Sequence, residues 1–123
     1  MVVIKKPTLI LGASLNEMRY SNRAIKKLLE FNIEVLAVGK NKGETHGIKI
    51  QNEFPLDVEI NTLSIYLNAS HQHQYIDSIL NLSPNRVIFN PGSENPDLFK
   101  FLFSKGIFCE NSCTLVLLST NQY

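Results

Sequence analysis

The 123-residue sequence has no tryptophan, only two cysteines, and no uninterrupted apolar run near the length that a membrane span requires. Two cysteines are too few for a disulfide framework and indicate a reducing compartment, so we expect a cytoplasmic protein without a signal peptide or membrane partner. The content of 44% hydrophobic and 19% charged residues is typical of a globular chain, and we expect a single domain over residues 1–123.

The sequence also lacks a recognisable catalytic arrangement. No nucleophile, base and acid stand in a familiar pattern, so we expect that this chain alone is not an enzyme. His71 and His73 are two residues apart and would point in different directions from a helix start. Cys109 and Cys113 have no further Cys or His at zinc-ligand spacing, and we therefore expect no metal site.

The net charge of +1 conceals an uneven distribution along the chain. Residues 1–49 contain nine Lys and Arg against four Asp and Glu, whereas residues 50–123 contain three against seven. A nucleic-acid-binding chain would more often be basic overall, so we expect no nucleic-acid partner. A basic first half instead suits a small anionic ligand that is held locally.

Helical and strand patterns alternate along the sequence. Amphipathic spacing predicts helices around residues 24–29, 75–80 and 98–103, with Ser70 as a cap of the second and Asn95 and Gly106 at the ends of the third. Continuous apolar runs predict buried parallel strands at residues 9–11, 35–38, 63–67, 87–89 and 107–109. The order predicts an α/β fold, a three-layer, Rossmann-like, doubly wound parallel sheet of about five strands.

Two segments are less regular. Residues 39–57 are polar and predict an irregular crossover, with room for a short strand at residues 48–50. Residues 113–118 suit either a final strand or a short helix capped by Ser112. The apolar run at residues 115–118 could also pair two subunits as a homodimer.

A phosphate-binding turn is predicted where the first strand meets the first helix, at Gly12, Ala13 and Ser14. Glycine lets a ligand approach the main chain, and the helix start presents backbone N–H groups and the positive end of a dipole. A charge and further donors come from the side chains of Arg19, Ser21 and Asn22. The stretch matches neither G-x-G-x-x-G nor a Walker A loop, so it does not identify which phosphate-bearing ligand binds. The alternative is a tight turn that binds no ligand.

The ends of the other predicted strands are small or polar, as the floor of a binding crevice requires. They carry Gly39, Lys40 and Lys42 after the second strand, Asn68 after the third, and Pro91 and Gly92 after the fourth. An NAD site has an acidic residue after the second strand, whereas lysines there suit an additional phosphate, as in NADP or coenzyme A. An NADP-dependent oxidoreductase and a non-enzymatic regulatory or interaction module with a vestigial crevice are therefore two alternatives.

Five motifs follow one another over about residues 7–118: Gly-Ala-Ser, Arg-Tyr-Ser-Asn, Val-x-x-x-Lys-Gly followed by a further Gly, Asn-Pro-Gly-Ser-Glu-Asn, and Asn-x-Cys. This set resembles the small stand-alone CoA-binding domain proteins and is similar to the N-terminal domain of the succinyl-CoA synthetase α subunit. The resemblance implies that the chain binds coenzyme A or an acyl-CoA. It implies that the glycine turn receives the diphosphate and that Lys42 approaches the coenzyme phosphates.

The same resemblance implies that Asn68 and the Pro91-Gly92 pair flank the path of the adenosine and the pantetheine arm. The family commonly has Asn-Pro directly after the second strand, where this chain has Gly39-Lys40. The wall around the adenosine is therefore expected to differ, with Lys40 as an additional phosphate contact.

Overall fold

The computed structural model describes residues 7–123, in which strands and helices alternate. The strands are β1 (Thr8–Leu11), β2 (Val35–Val38), β3 (Gly43–Thr45), β4 (Ile48–Gln51), β5 (Thr62–Ile65), β6 (Arg86–Phe89) and β7 (Phe108–Asn111). The helices are α1 (Tyr20–Glu30), α2 (Ile76–Leu82), α3 (Pro96–Ser104) and α4 (Thr114–Ser119), with two 3₁₀ turns, Ala69–His71 and His73–Tyr75, before α2. No helix in this described part is long and apolar enough to cross a membrane.

The strands form one sheet in the order β3-β4-β2-β1-β5-β6-β7. Six of them are parallel, and β3 lies at one edge, antiparallel to β4. Without β3, the order is that of the Rossmann fold, with β1 beside the point where the winding reverses. The predicted fold class is thus confirmed.

The predicted number of about five strands is too low, because residues 39–57 contain the β3–β4 hairpin. The strand foreseen at residues 48–50 is present as β4, whereas its partner β3 was expected to be irregular crossover. His46 and Gly47 form the tip with φ of +52° and +79°. Two consecutive left-handed residues match the tight turn that joins paired antiparallel strands.

Helices on both faces of the sheet bury two apolar clusters and make three layers. Ile25 and Leu28 of α1 pack with Leu118 of α4 on one face. Ile79 of α2 and Leu102 of α3 pack on the other face. Each of these side chains is fully or almost fully buried and contributes about 1.5–3 kcal/mol of hydrophobic stabilisation.

The ends of α3 follow the prediction. The Asn95 side chain accepts a hydrogen bond from the Leu98 amide at 3.1 Å, and Pro96 occupies the first turn. Gly106 follows the helix with a φ of +85°. Sequence therefore sets both ends of this helix.

Two predicted caps are wrong. Ser70 lies inside the first 3₁₀ turn, well before α2 begins, and its hydroxyl donates to the Asn68 side chain at 2.6 Å. Residues 113–118 lie almost wholly in a helix, but Ser112 donates its hydroxyl to Glu110, and Cys113 occupies the cap position of α4 without a side-chain bond.

The apolar run at residues 115–118 packs mainly against other parts of the same chain. Leu118 is buried and Leu115 packs against the cluster on the α1 face, while Val116 is exposed. Pairing of two subunits through residues 115–118 stays a prediction.

Candidate functional site

A cleft of about 440 Å³ opens at the carboxyl ends of β1, β2, β5 and β6. This is the crevice in which open α/β sheets bind ligands, beside the junction of β1 and β5. Most of the predicted site residues line it, namely Gly12, Ala13, Ser14, Arg19, Ser21, Lys40, Asn68, Pro91 and Gly92. The lining also includes five residues that were not among the predicted ligand contacts, namely Tyr20, Asn41, Tyr66, Leu67 and Ser93.

Asn22, Gly39 and Lys42 do not line the cleft. Lys42 is exposed, immediately before β3, and its approach to the coenzyme phosphates stays a prediction. Asn22 is buried behind the glycine turn, where its side-chain nitrogen donates to the Ser14 carbonyl and to Thr45 Oγ1, both at 2.9 Å. Its oxygen lies 2.8 Å from His46 Nε2, so Asn22 braces the turn against the β3–β4 hairpin.

The sharp turn after β1 requires glycine for two reasons. Gly12 has a φ of +92°, and a Cβ at this position would lie 2.9 Å from the Tyr66 carbonyl carbon. The backbone after β5 therefore passes directly beside Gly12, which keeps the floor of the cleft free of side chains.

Gly39, at the end of β2, supports the same turn from behind. A Cβ on Gly39 would lie 2.2 Å from the carbonyl oxygen of Ala13. The amides of Gly12 and Ala13 both donate to the Val38 carbonyl, at 2.9 and 3.0 Å. These two amides are thus engaged with β2, and the glycine turn shapes the cleft without offering them to a ligand.

The start of α1 provides the open donors. Arg19 is the cap residue and makes no side-chain capping bond, and the first turn contains no acidic residue. Within residues 7–123, the amides of Tyr20 and Ser21 have no hydrogen-bond acceptor. Both residues line the cleft, so the positive end of the helix dipole is open to an anion.

The charges of the cleft have one sign. Arg19 and Lys40 line it, and its lining contains no Asp or Glu. Both side chains are exposed, and neither takes part in an ion pair in the described part of the chain. The half of the cleft formed by β1, β2 and α1 is therefore positive.

The other half, after β5 and β6, is uncharged and held by a buried glutamine. Gln72 is fully buried, and its Nε2 donates to the Leu67 carbonyl at 2.8 Å and to the Ser93 carbonyl at 2.7 Å. Its Oε1 accepts from Asn95 Nδ2 at 3.0 Å. Gln72 thus joins the two strand ends, a role that its position in a polar stretch of sequence does not reveal.

A second buried polar group lies beneath this half. Asn90 Nδ2 donates to Ser64 Oγ at 2.8 Å, and Asn90 Oδ1 accepts from the Thr114 amide at 2.9 Å. Within the described residues, the buried Tyr66 hydroxyl beside them has no hydrogen-bond partner, and burial raises the pKa of this phenol above its usual range, although the nearby Thr114 and Ser64 side chains partly oppose this shift. Tyr66 is therefore neutral at physiological pH.

The histidines and cysteines that were considered as metal ligands lie in different local elements. His71 and His73 are exposed in separate 3₁₀ turns, and Cys109 and Cys113 are free thiols. Burial raises the pKa of the Cys109 thiol to about 11. Among residues 7–123, no three His, Cys, Asp or Glu side chains group as metal ligands would.

Known proteins share this architecture. A family model described as "CoA binding domain" matches residues 6–119. The crystal structure of an uncharacterized protein is 41% identical, with a TM-score of 0.93, and the alignment covers 98% of this chain and 100% of that chain. None of the curated proteins matches the chain.

Two more distant structures share the fold. A Thermus thermophilus protein called "cell-free ID.343" is 21% identical, with a TM-score of 0.82, and the match covers 96% of this chain and 91% of that one. A hypothetical protein from Pyrococcus horikoshii OT3 is 21% identical, with a TM-score of 0.81, over 89% of this chain and 79% of that one.

Proposed function

The chain belongs to the CoA-binding domain family, and we propose on this premise that it binds coenzyme A or an acyl-CoA, without catalysis by this chain alone. The ligand occupies the cleft at the carboxyl ends of the parallel strands. The observation that carries the proposal is the open start of α1 beside two cations, in a cleft whose lining has no acidic side chain.

The positive half of the cleft suits the phosphates. The unpaired amides of Tyr20 and Ser21 can donate to one phosphate group, with the helix dipole behind them. Arg19 and Lys40 provide charge on the same side. Each charge-assisted hydrogen bond contributes about 1.5–3 kcal/mol, which is enough to orient the ligand with its phosphates toward α1.

The uncharged half suits the pantetheine arm. This arm is a flexible chain with two amide groups and no charge, and the lining here consists of Leu67, Asn68, Pro91, Gly92 and Ser93. Asn68 is exposed and offers a side-chain amide to such a group. Gln72 holds the two strand ends at a fixed separation, so this part of the cleft is preformed.

Ligand-dependent thermal unfolding tests the proposal. Coenzyme A at about one hundred times its Kd stabilises the folded state by about 2.7 kcal/mol, which raises Tm. NADP⁺ and dephospho-CoA serve as parallel ligands. Stabilisation by NADP⁺ and not by coenzyme A would contradict the proposal in favour of a dinucleotide-binding protein, and stabilisation by neither would favour an interaction module.

The absence of catalysis has its own test. Acetyl-CoA incubated with the protein should release free coenzyme A thiol at the rate of the protein-free blank. Release that is faster than the blank and proportional to protein concentration would contradict this part of the proposal, while leaving the binding part intact.

A further inference from the structure

A second cleft, of about 380 Å³, lies between the second 3₁₀ turn, the start of α2 and the first turns of α3. Its apolar wall is formed by Ala69, Ile76, Leu98 and Phe101, and His73 and Asp97 lie at its polar side. Phe101 is 40% exposed at this cleft, and the Lys105 ammonium lies over its ring, 5.5 Å from the centroid, so the protein covers this apolar ring only in part. The coenzyme cleft described above contains none of these residues.

The two clefts are neighbours. Asn68 lines the coenzyme cleft and Ala69 lines the second cleft, and Ser93 and Asn95 are divided in the same way. Gln72 connects the pairs, because it donates to the Ser93 carbonyl at 2.7 Å and accepts from Asn95 at 3.0 Å. This fully buried side chain therefore lies behind the boundary between the clefts and fixes their relative position.

The chemistry changes along the two clefts in one direction. Cations and open amides lie at α1 and β2, uncharged polar residues lie after β5 and β6, and an apolar wall follows at α2 and α3. An acyl-CoA has the same sequence of groups, namely phosphates, the diamide arm and the acyl chain. A ligand with its phosphates at α1 thus directs its thioester end toward the second cleft.

We propose that the second cleft is an acyl site, which receives an uncharged apolar acyl chain of an acyl-CoA. This inference rests on the proposed function. Burial of a chain against Ile76, Leu98 and Phe101 removes apolar surface from water on both sides. The Asp97 carboxylate disfavours a second carboxylate, so a dicarboxylic acyl group such as succinyl is a poor occupant.

Calorimetric titration with a series of thioesters tests the acyl site. Coenzyme A, acetyl-CoA, butyryl-CoA, hexanoyl-CoA and succinyl-CoA share all groups except the acyl chain. We expect Kd to fall by up to about fourfold for each buried methylene from acetyl to hexanoyl. Succinyl-CoA should bind more weakly than butyryl-CoA, which has the same number of acyl carbons.

Two phenylalanines of α3 provide a matched pair of variants. Phe101 lines the second cleft, whereas Phe103 is exposed on the same helix and does not. Phe101→Ser should reduce the gain in affinity of hexanoyl-CoA over coenzyme A, and Phe103→Ser should leave this gain unchanged. Circular dichroism confirms that both variants are folded.

The outcomes separate the two proposals. If coenzyme A and every thioester bind the protein with the same Kd, or if both phenylalanine variants have the same effect, the acyl site is overturned and the proposed function stands. No binding of any compound in the series would overturn the proposed function and the acyl site together.

Discussion

Asn22 Nδ2 donates to the carbonyl oxygen of Ser14 at 2.9 Å, from a position that is almost completely buried. The sequence suggested Asn22 as a ligand-binding residue because it follows a phosphate-type turn. In the structure, Asn22 does not line the cleft, and its side chain joins the turn to Thr45 and His46 of the hairpin. The residue therefore acts on the site through the turn that it supports.

Replacement of Asn22 by leucine should destabilise the fold. The variant loses the bonds to Ser14 and Thr45 and leaves the Ser14 carbonyl without this donor, which costs about 1–3 kcal/mol. Urea unfolding measures this loss. Asn81→Leu is the control, because Asn81 is exposed on α2, and a loss of equal size there would contradict the bracing role.

Gly12→Ala should destabilise the protein more than Gly92→Ala. Both glycines have a φ of +92°, so both variants carry a conformational cost of about 1–2 kcal/mol. Of these two positions, only at Gly12 would the new methyl meet backbone, 2.9 Å from the Tyr66 carbonyl carbon, whereas no atom of residues 7–123 lies within 4 Å at Gly92. Overpacking adds about 1–3 kcal/mol at Gly12.

Thermal or urea unfolding gives the loss in free energy of unfolding for each glycine variant. The difference between the two losses isolates the contact with Tyr66. Equal losses of stability in the two variants would contradict this, because they would show that the Gly12 turn moves away from Tyr66 without an energetic cost. Substitutions at Gly12 are thus tests of the fold, and the ligand is better tested at side chains that line the cleft.

Lys40→Glu should weaken the binding of coenzyme A by about ten- to a hundredfold, because a charge-assisted contact of about 1.5–3 kcal/mol is lost and a repulsive charge is added. Lys42→Glu should weaken it less, since Lys42 is exposed outside the cleft lining. Calorimetry at low salt compares the two variants. A larger loss for Lys42→Glu would restore the contact implied by the family resemblance and move the phosphate toward the hairpin.

Comparison with dephospho-CoA locates the Lys40 contact. A smaller loss for dephospho-CoA than for coenzyme A assigns the contact to the ribose phosphate. Equal losses assign it to the diphosphate.

Stability should fall as the pH rises from about 9 to about 11, in part because of Cys109. Burial raises the pKa of this thiol from its ordinary 9.0 to about 11, so the unfolded chain releases the proton at lower pH than the folded protein does. The contribution of Cys109 to the free energy of unfolding is fully present below about pH 9. It is lost as the pH rises through about 11, the pKa of this thiol in the folded protein. Urea unfolding of Cys109→Ala should show a flatter decline over this interval.

Cys113→Ala controls for the removal of a thiol, since Cys113 is less buried. An identical pH dependence in the wild type and in Cys109→Ala would contradict the contribution of Cys109.

The features that were predicted correctly from the sequence are those that depend on residues close together in the chain. Continuous apolar runs located the central strands, Asn95 and Pro96 located the start of α3, and Gly12 located the cleft. These signals depend on neighbouring residues or on a single φ angle. Tyr66 and Leu67 were predicted to lie within the strand at residues 63–67, whereas the observed strand β5 ends at Ile65 and leaves both residues at the cleft.

Other features depend on contacts between distant segments. The β3–β4 hairpin consists of short strands joined by His46-Gly47, which is not a common turn pair in hairpins. Gln72 has no sequence signal, because its partners Leu67 and Ser93 come together only in the folded chain. The wrong caps at Ser70 and Ser112 have a local origin instead, since each hydroxyl donates to a side chain two residues earlier, Asn68 and Glu110 respectively.

The central position of β1 also makes the middle of the sheet depend on segments that are distant from β1 in sequence. Thr8 pairs with Val35 on one side and with Thr62 on the other, so both neighbours of β1 in the sheet are more than 20 residues away in sequence. Closing these long loops costs chain entropy before the pairing gives any return. A nascent chain that has emerged only as far as β4 has one flank of β1 unpaired, and synthesis of β5 is the step that completes the centre of the molecule.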